Sequence, residues 1–185
     1  MKLMQLNQLD KEAIKTVRAS FDNLPETDHK DGKYRLRRYS RVELRTTFWN
    51  AGEDVEIVDL KVGGFNQSSD YNLHQGNKLR LFENLEEETI NSRGFKEICL
   101  EFKKANDLED GVEVDVHQLR VVTLDEFDNT APVAPEGIHQ DGYDYIAMVG
   151  IQRNNIKGGE LQAYPDKKSL PFLNHILKDG QMLFL

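Results

Sequence analysis

Cysteine is almost absent: Cys99 is the only one in 185 residues, which excludes a disulfide framework and a thiolate metal cluster. A reducing cytoplasm is the natural setting for such a chain. Long apolar runs are absent too. No stretch approaches the roughly 18 residues that a membrane span requires, and the N-terminal "MKLMQLNQLDKEAIK" lacks the apolar centre of a signal peptide. Positive charge is scarce, with 24 Lys and Arg against 32 Asp and Glu for a net charge of −8. That argues against a nucleic-acid partner, because phosphate contacts need clustered Lys and Arg. The one basic cluster, "KYRLRRYSR" from Lys33 to Arg41, is local, and "ENLEEE" from Glu83 to Glu88 reads as a solvated helix start. There is no internal repeat, low-complexity tract or linker.

What is present fits a soluble, cytoplasmic globular protein, with residues 1–185 forming one domain; the oligomeric state is not encoded in these patterns. Asp10 caps a helix expected over Lys11 to Phe21, with Ile14, Val17 and Phe21 on one face. A second helix is expected over Ser92 to Asn106, where Phe95, Ile98, Cys99 and Phe102 recur at helical spacing. Strands are expected over Arg41 to Phe48 and Asp54 to Leu60, joined by a turn at "NAGE". Further strands are expected over Gly111 to Leu124, Tyr143 to Gln152, Gly159 to Pro165 and Gly180 to Leu185. Helices early and strands late predict an α+β fold with a mostly antiparallel sheet or barrel.

Chemistry enters at "APEGIHQDGYDYIAMVGIQRNNIKGGE", Ala134 to Glu160. His139 and Asp141 are two apart, which in extended backbone puts an imidazole and a carboxylate on one face. Together they form two-thirds of the two-histidine, one-carboxylate triad that binds non-haem iron(II). In the long strand, Gln118 and Arg120 share a row with four valines. Either they line a pocket that receives a carboxylate, as the planar arginine fork does well, or the arginine pairs with a core acid. Arg41 opens another strand and either serves the same pocket or is a solvated surface charge. Tyr143 and Tyr145 share parity with the metal pair and either flank it or pack the barrel wall. His29, His74 and His117 read as structural or solvated.

The residues "GIHQDG" and "YIAMVGIQRNNIKGGEL", with "RRYSR", "KLRLFENL" and "VHQLRV" upstream, resemble the small bacterial iron(II)/2-oxoglutarate dioxygenases that hydroxylate free amino acids, the isoleucine hydroxylase type. The resemblance spans most of the chain in collinear order. It implies a double-stranded β-helix, a jelly-roll or cupin-like barrel with N-terminal and flanking helices. His139 and Asp141 would be metal ligands and catalytic, and Fe(II) and 2-oxoglutarate would be cofactor and cosubstrate. Partners would be O2 and a small-molecule amino-acid substrate, with decarboxylation to succinate coupled to hydroxylation. By position rather than by motif, Arg120 and Arg41 are the candidates for gripping the substrate carboxylate, with Gln118 as a hydrogen-bonding neighbour; Tyr143 is a further candidate for substrate or cosubstrate, and Arg153 for 2-oxoglutarate.

The family pattern expects a second metal histidine and an arginine for 2-oxoglutarate just beyond "GQMLFL", where the chain stops. The expectation is a shortened form, and His175, placed before that strand in a helix or loop, does not take the ligand role. The rival reading is a non-catalytic barrel, a binding or stress-linked module of the same fold without the third ligand. A cupin-like enzyme with another oxidant is a third reading, but such sites usually gather several histidines.

Overall fold

The computed structural model describes residues 4–29, 32–49, 52–66, 68, 76–123 and 131–185. The elements begin with β1 (Gln5–Gln8), α1 (Lys11–Arg18), a 3-10 turn (Ala19–Phe21), β2 (Arg35–Trp49), β3 (Gly52–Asp59), β4 (Gly64–Phe65) and β5 (Arg80–Leu81). They continue with α2 (Glu87–Asn91), α3 (Arg93–Ala105), β6 (Val112–Val121), β7 (Ala147–Val149), β8 (Leu161–Ala163), β9 (Leu173–His175) and β10 (Gln181–Phe184). The predicted positions His74 and Leu124, and Asn50 and Ala51 of the "NAGE" turn, lie outside the described residues.

The helices start where their caps dictate. The Asp10 carboxylate accepts hydrogen bonds from the Glu12 and Ala13 amides at 3.0 and 3.2 Å, satisfying donors that α1 leaves open at its N-terminus, a cap worth about 1 kcal/mol. Ser92 is extended, so it ends α2, and its hydroxyl accepts from the Phe95 amide at 3.2 Å to start α3. Ala13, Ile14 and Val17 of α1, and Phe95, Cys99 and Phe102 of α3, form the buried faces. The predicted first helix tightens into a 3-10 turn at Ala19, but its Asp10 start is as expected.

Every strand pair is antiparallel. The sheet that carries the core has the order β3-β2-β6, and a second has the order β1-β10-β7; β4 pairs with β5, and β8 with β9. The described residues therefore give a mixed α and β fold with a mostly antiparallel β architecture and no closed barrel. Period-two alternation divides the first sheet. Val42, Leu44 and Val55, with Ile57, Val112, Val114 and Val116, pack on Val17, Leu85, Ile90, Phe95 and Cys99. Met182 and Phe184 of the second sheet pack on Leu9, Ile14 and Phe102, and Val114 borders both clusters. Each fully buried aliphatic or aromatic side chain there contributes about 1.5–3 kcal/mol. No helix among the described residues is long and apolar enough to cross a membrane.

Three expectations shift. Strand β2 begins at Arg35, six residues earlier than predicted, because Arg35 and Arg37 pair with Val121 and Leu119 of β6. The strand expected over Tyr143 to Gln152 contracts to Ala147–Val149, flanked by a reciprocal backbone pair between Ile146 and Leu185 at 3.0 and 2.9 Å. Residues 143–145 pair with no strand among the described residues, so His139 and Asp141 sit in a loop rather than on one face of an extended strand. His175 lies in β9, not in a helix or loop.

Gly94 fixes the approach of α3 to α1. A Cβ there would meet the backbone carbonyl of Ala13, and the Gly94 amide donates to the Thr16 hydroxyl at 2.8 Å. Alanine would gain about 1 kcal/mol of helix propensity, but the carbonyl cannot rotate aside and overpacking costs about 1–3 kcal/mol. Gly94→Ala is expected to lower the urea midpoint of unfolding, whereas substituting exposed Lys11 of α1 by Ala leaves it nearly unchanged.

Candidate metal centre

The polar face of the β3-β2-β6 sheet is built around Asp115. Its carboxylate is 6% exposed and accepts four hydrogen bonds. Arg41, its direct partner across β2 and β6, donates from Nε at 2.8 Å and Nη2 at 3.2 Å. Tyr39 donates its hydroxyl at 2.6 Å, and Tyr143 donates its hydroxyl from the loop that carries His139. Burial would raise the Asp115 pKa, but the hydrogen bonds from Arg41, Tyr143 and Tyr39 and the Arg41 charge outweigh it, so the carboxyl stays below its ordinary range. The ionised knot therefore stabilises the fold above the ordinary carboxylate range, and that contribution is lost as pH falls through the lowered value. Burial and the Asp115 contact push both tyrosine hydroxyls well above their usual pKa.

His117 lies beside this knot, directly opposite Tyr39. Arg37 Nη2 lies 2.8 Å from His117 Nδ1; the arginine must donate, so the imidazole carries its proton on Nε2. Although the residue is exposed, crowding by protein atoms, with the Arg37 and Arg80 charges, pushes the imidazole down to about 3 against the pull of Asp115 and Asp141. It is a neutral ring held in an arginine cluster.

His139 belongs to the loop before β7. Its Nδ1 donates to the Gly137 carbonyl at 2.8 Å, which directs Nε2 outward. That nitrogen lies 3.5 Å from Asp141 Oδ1 and 3.5 Å from Glu136 Oε1. The Asp141 contact, opposed by burial and helped by the Gly137 carbonyl and the Glu136 charge, raises His139 to about 9. Backbone carbonyls that fix Nδ1 are the usual support of a metal-bound imidazole. The proton there marks a place of positive charge, and His139 with Asp141 offers a divalent cation two donors of suitable type. The residues present fit such an ion as a partial donor set: among the described residues no group of three His, Cys, Asp or Glu side chains is arranged to hold a metal.

The other predicted residues separate. Arg41 and Tyr143 meet at Asp115, beside the His139 loop. Gln118 and Arg120 point to the opposite, helix-covered face: Gln118 Nε2 donates to the Ser20 hydroxyl at 2.7 Å, and Arg120 Nη1 donates to the Phe21 carbonyl at 3.3 Å. The structure does not bring them to the loop, because the valine row that they share is the core row. Arg153 closes its own turn, donating from Nη2 to the Gly158 carbonyl at 2.6 Å. Gly158 and Gly159 follow with φ of 78° and 71°, a backbone that glycine adopts without strain. Sequence reasoning missed Glu136, which stands three residues before His139, and Asp115, whose signal was an acid in the polar row of an alternating strand.

A proton on His139 tests this electrostatic picture. The folded value near 9 exceeds the ordinary 6.5, so the contact stabilises the metal-free fold fully below pH 6.5 and is lost as pH rises through about 9. Proton NMR of metal-free protein is expected to give a His139 midpoint near 9, and Asp141→Asn to return it toward 6.5.

None of the curated proteins matches the chain. Among solved structures, a bsmA homolog from Methylobium petroleophilum PM1 is similar, with a TM-score of 0.74 and 23% identity over 94% of this chain and 68% of the other. IDO from Bacillus thuringiensis gives 0.70 and 14%, over 100% of this chain and 81% of the other. At these identities the likeness shows a shared fold. The family model described as 2OG-Fe dioxygenase matches residues 18–185, a span that includes the Asp115 knot and the His139 loop, and the chain thus belongs to the 2OG-Fe dioxygenase family.

Proposed function

We propose that this protein is an iron(II)- and 2-oxoglutarate-dependent oxygenase that hydroxylates a free L-amino acid or a similar small molecule, with His139 and Asp141 as two of its metal ligands. Fe(II) and 2-oxoglutarate are the family's cofactor and cosubstrate. The observation that carries the ligand assignment is His139 Nε2: Nδ1 is committed to the Gly137 carbonyl, and Nε2 faces Asp141. The amino-acid substrate class rests on the resemblance of the "GIHQDG" and "KGGEL" segments to amino-acid hydroxylases. The two antiparallel sheets are read as parts of a jelly roll within one domain, in which the polar sheet face with Tyr39, Arg41 and Asp115 is the interior wall.

The chain's residues divide the work. His139 and Asp141 hold the ion, which when bound supplies the redox chemistry that couples loss of carbon dioxide from 2-oxoglutarate to oxidation of a C–H bond. Gly137 holds the imidazole in the tautomer that leaves Nε2 available. Arg41 is the proposed contact for a substrate carboxylate, since Asp115 fixes its guanidinium at the edge of the site and 38% of the side chain remains exposed. Gln118 and Arg120 leave that role, and Arg153 serves its turn.

One observation favours a second reading, a non-catalytic module of the same fold: the described residues bring only a partial donor set together. The two diverge in an assay of the intact protein with Fe(II), 2-oxoglutarate, O2 and a panel of L-amino acids, with succinate measured. Substrate-dependent succinate is expected, falling by more than about 100-fold in His139→Ala and Asp141→Ala, since losing a ligand costs at least as much as losing its support. Arg41→Ala is expected to raise the KM for the amino acid while Arg120→Ala leaves it unchanged. Succinate formation that is indifferent to His139→Ala would sink the ligand assignment.

A further inference from the structure

The Asp115 carboxylate contacts neither His139 nor Asp141 in any hydrogen bond, yet it holds a residue two positions beyond Asp141. Its own place is over-determined: Arg41 grips it from Nε and Nη2, and Tyr39 caps Oδ1 from a fully buried ring. The remaining bond, at Oδ2, comes from Tyr143. Tyr143 is 48% exposed while the Asp115 side chain is 6% exposed, so Tyr143 reaches from an exposed loop down to a rigid point on the sheet. We propose that Asp115 is a positioning residue that, through Tyr143, fixes the His139–Asp141 loop over the β2–β6 sheet, so that a carboxylate outside the donor set governs how well that set binds a metal. This rests on the reading of His139 and Asp141 as the metal pair.

Chain length sets how much the strut can matter. Tyr143 is two positions beyond Asp141, a reach of about 7 Å when fully extended. Without the Tyr143 hydroxyl, the nearest downstream backbone pairing among the described residues is Ile146 with Leu185, which lengthens the tether to about 17 Å. Gly137 and Gly142 stand at φ of 71° and 79°, and among the described residues no strand pairing covers 137–145. A donor pair must be held within a few tenths of an ångström to bind an ion well. A strut that shortens the tether by more than half thus acts on affinity without touching the ion.

Tyr143→Phe removes the hydroxyl and keeps the ring at a half-exposed position, so folding is expected to survive. Asp115→Asn is the second variant; if it fails to fold, Tyr143→Phe decides alone. Hydrogen–deuterium exchange of the metal-free protein is the first measurement. Residues 137–145 are expected to exchange faster in Tyr143→Phe, with β2 and β6 unchanged. The second is Mn(II) affinity by electron paramagnetic resonance, expected to weaken about 10- to 100-fold, the usual effect of losing a group that supports a ligand. The Co(II) absorption bands, which report ligand geometry, are expected to broaden or shift. Loop exchange and Mn(II) affinity both equal to wild type would overturn the proposal. If wild type itself takes up no Mn(II), the metal reading falls, and the exchange experiment alone decides whether Asp115 fixes the loop.

Discussion

Strand β2 must satisfy two opposed environments at once, and the molecule is organised around how it does so. Its even positions, Val42 and Leu44, are fully buried against the helices, while Tyr39 and Arg41 carry polar groups on the other side. A charged guanidinium beside a nearly buried carboxylate is tolerable only if both are paired, because an isolated buried charge costs several kcal/mol. The Arg41–Asp115 register supplies that pairing. A one-residue slip of β6 against β2 would bury Asp115 among valines and expose the valines. The apolar core and the polar site thus specify the same register from opposite faces.

This explains which parts of the structure were legible in the sequence. Asp10 and Ser92 announce the helix starts because capping is a local interaction with a narrow choice of residue types. The alternation in "VEVDVHQLRV" announces a strand and separates its two rows, but parity does not say which row faces the helices. Gln118 and Arg120 looked like pocket residues because they interrupt a valine row; in the fold, the Gln118 amide nitrogen donates to Ser20 and Arg120 donates to the Phe21 carbonyl at the edge of the core. The acid row, with Asp115 and His117, is the one that borders the loop. His139 and Asp141 stood out as a pair, but their support did not, since it comes from residue 115 across the sheet and from the Gly137 carbonyl, which carries no side-chain signal.

The arginine-rich start of β2 shows the same limit. "RLRRYS" has charge on both faces and so gives no strand pattern, yet it extends the sheet by six residues. Two of its arginines find local partners: Arg38 bonds Glu83, Glu86 and the Asn84 carbonyl, and Arg37 stacks over Phe82 while donating to His117. Long stems that lie on aromatic rings let arginine occupy a strand that its charge alone would disfavour.

The charge arrangement around the loop has a consequence for cation binding. A guanidinium with no counterion beside the site would repel a divalent cation, and at an effective dielectric of about 20 two unit charges still interact by over 1 kcal/mol at ~10 Å. Asp115 removes that penalty by pairing with Arg41 before any ligand arrives, and its four hydrogen bonds leave it little residual capacity to bind a cation itself. The field at His139 is then set by Glu136 and Asp141, the two carboxylates that raise its pKa. Burying the arginine's partner on the sheet and placing Glu136 and Asp141 around His139 on the loop separates two tasks that one carboxylate could not perform: neutralising the wall, and attracting the metal.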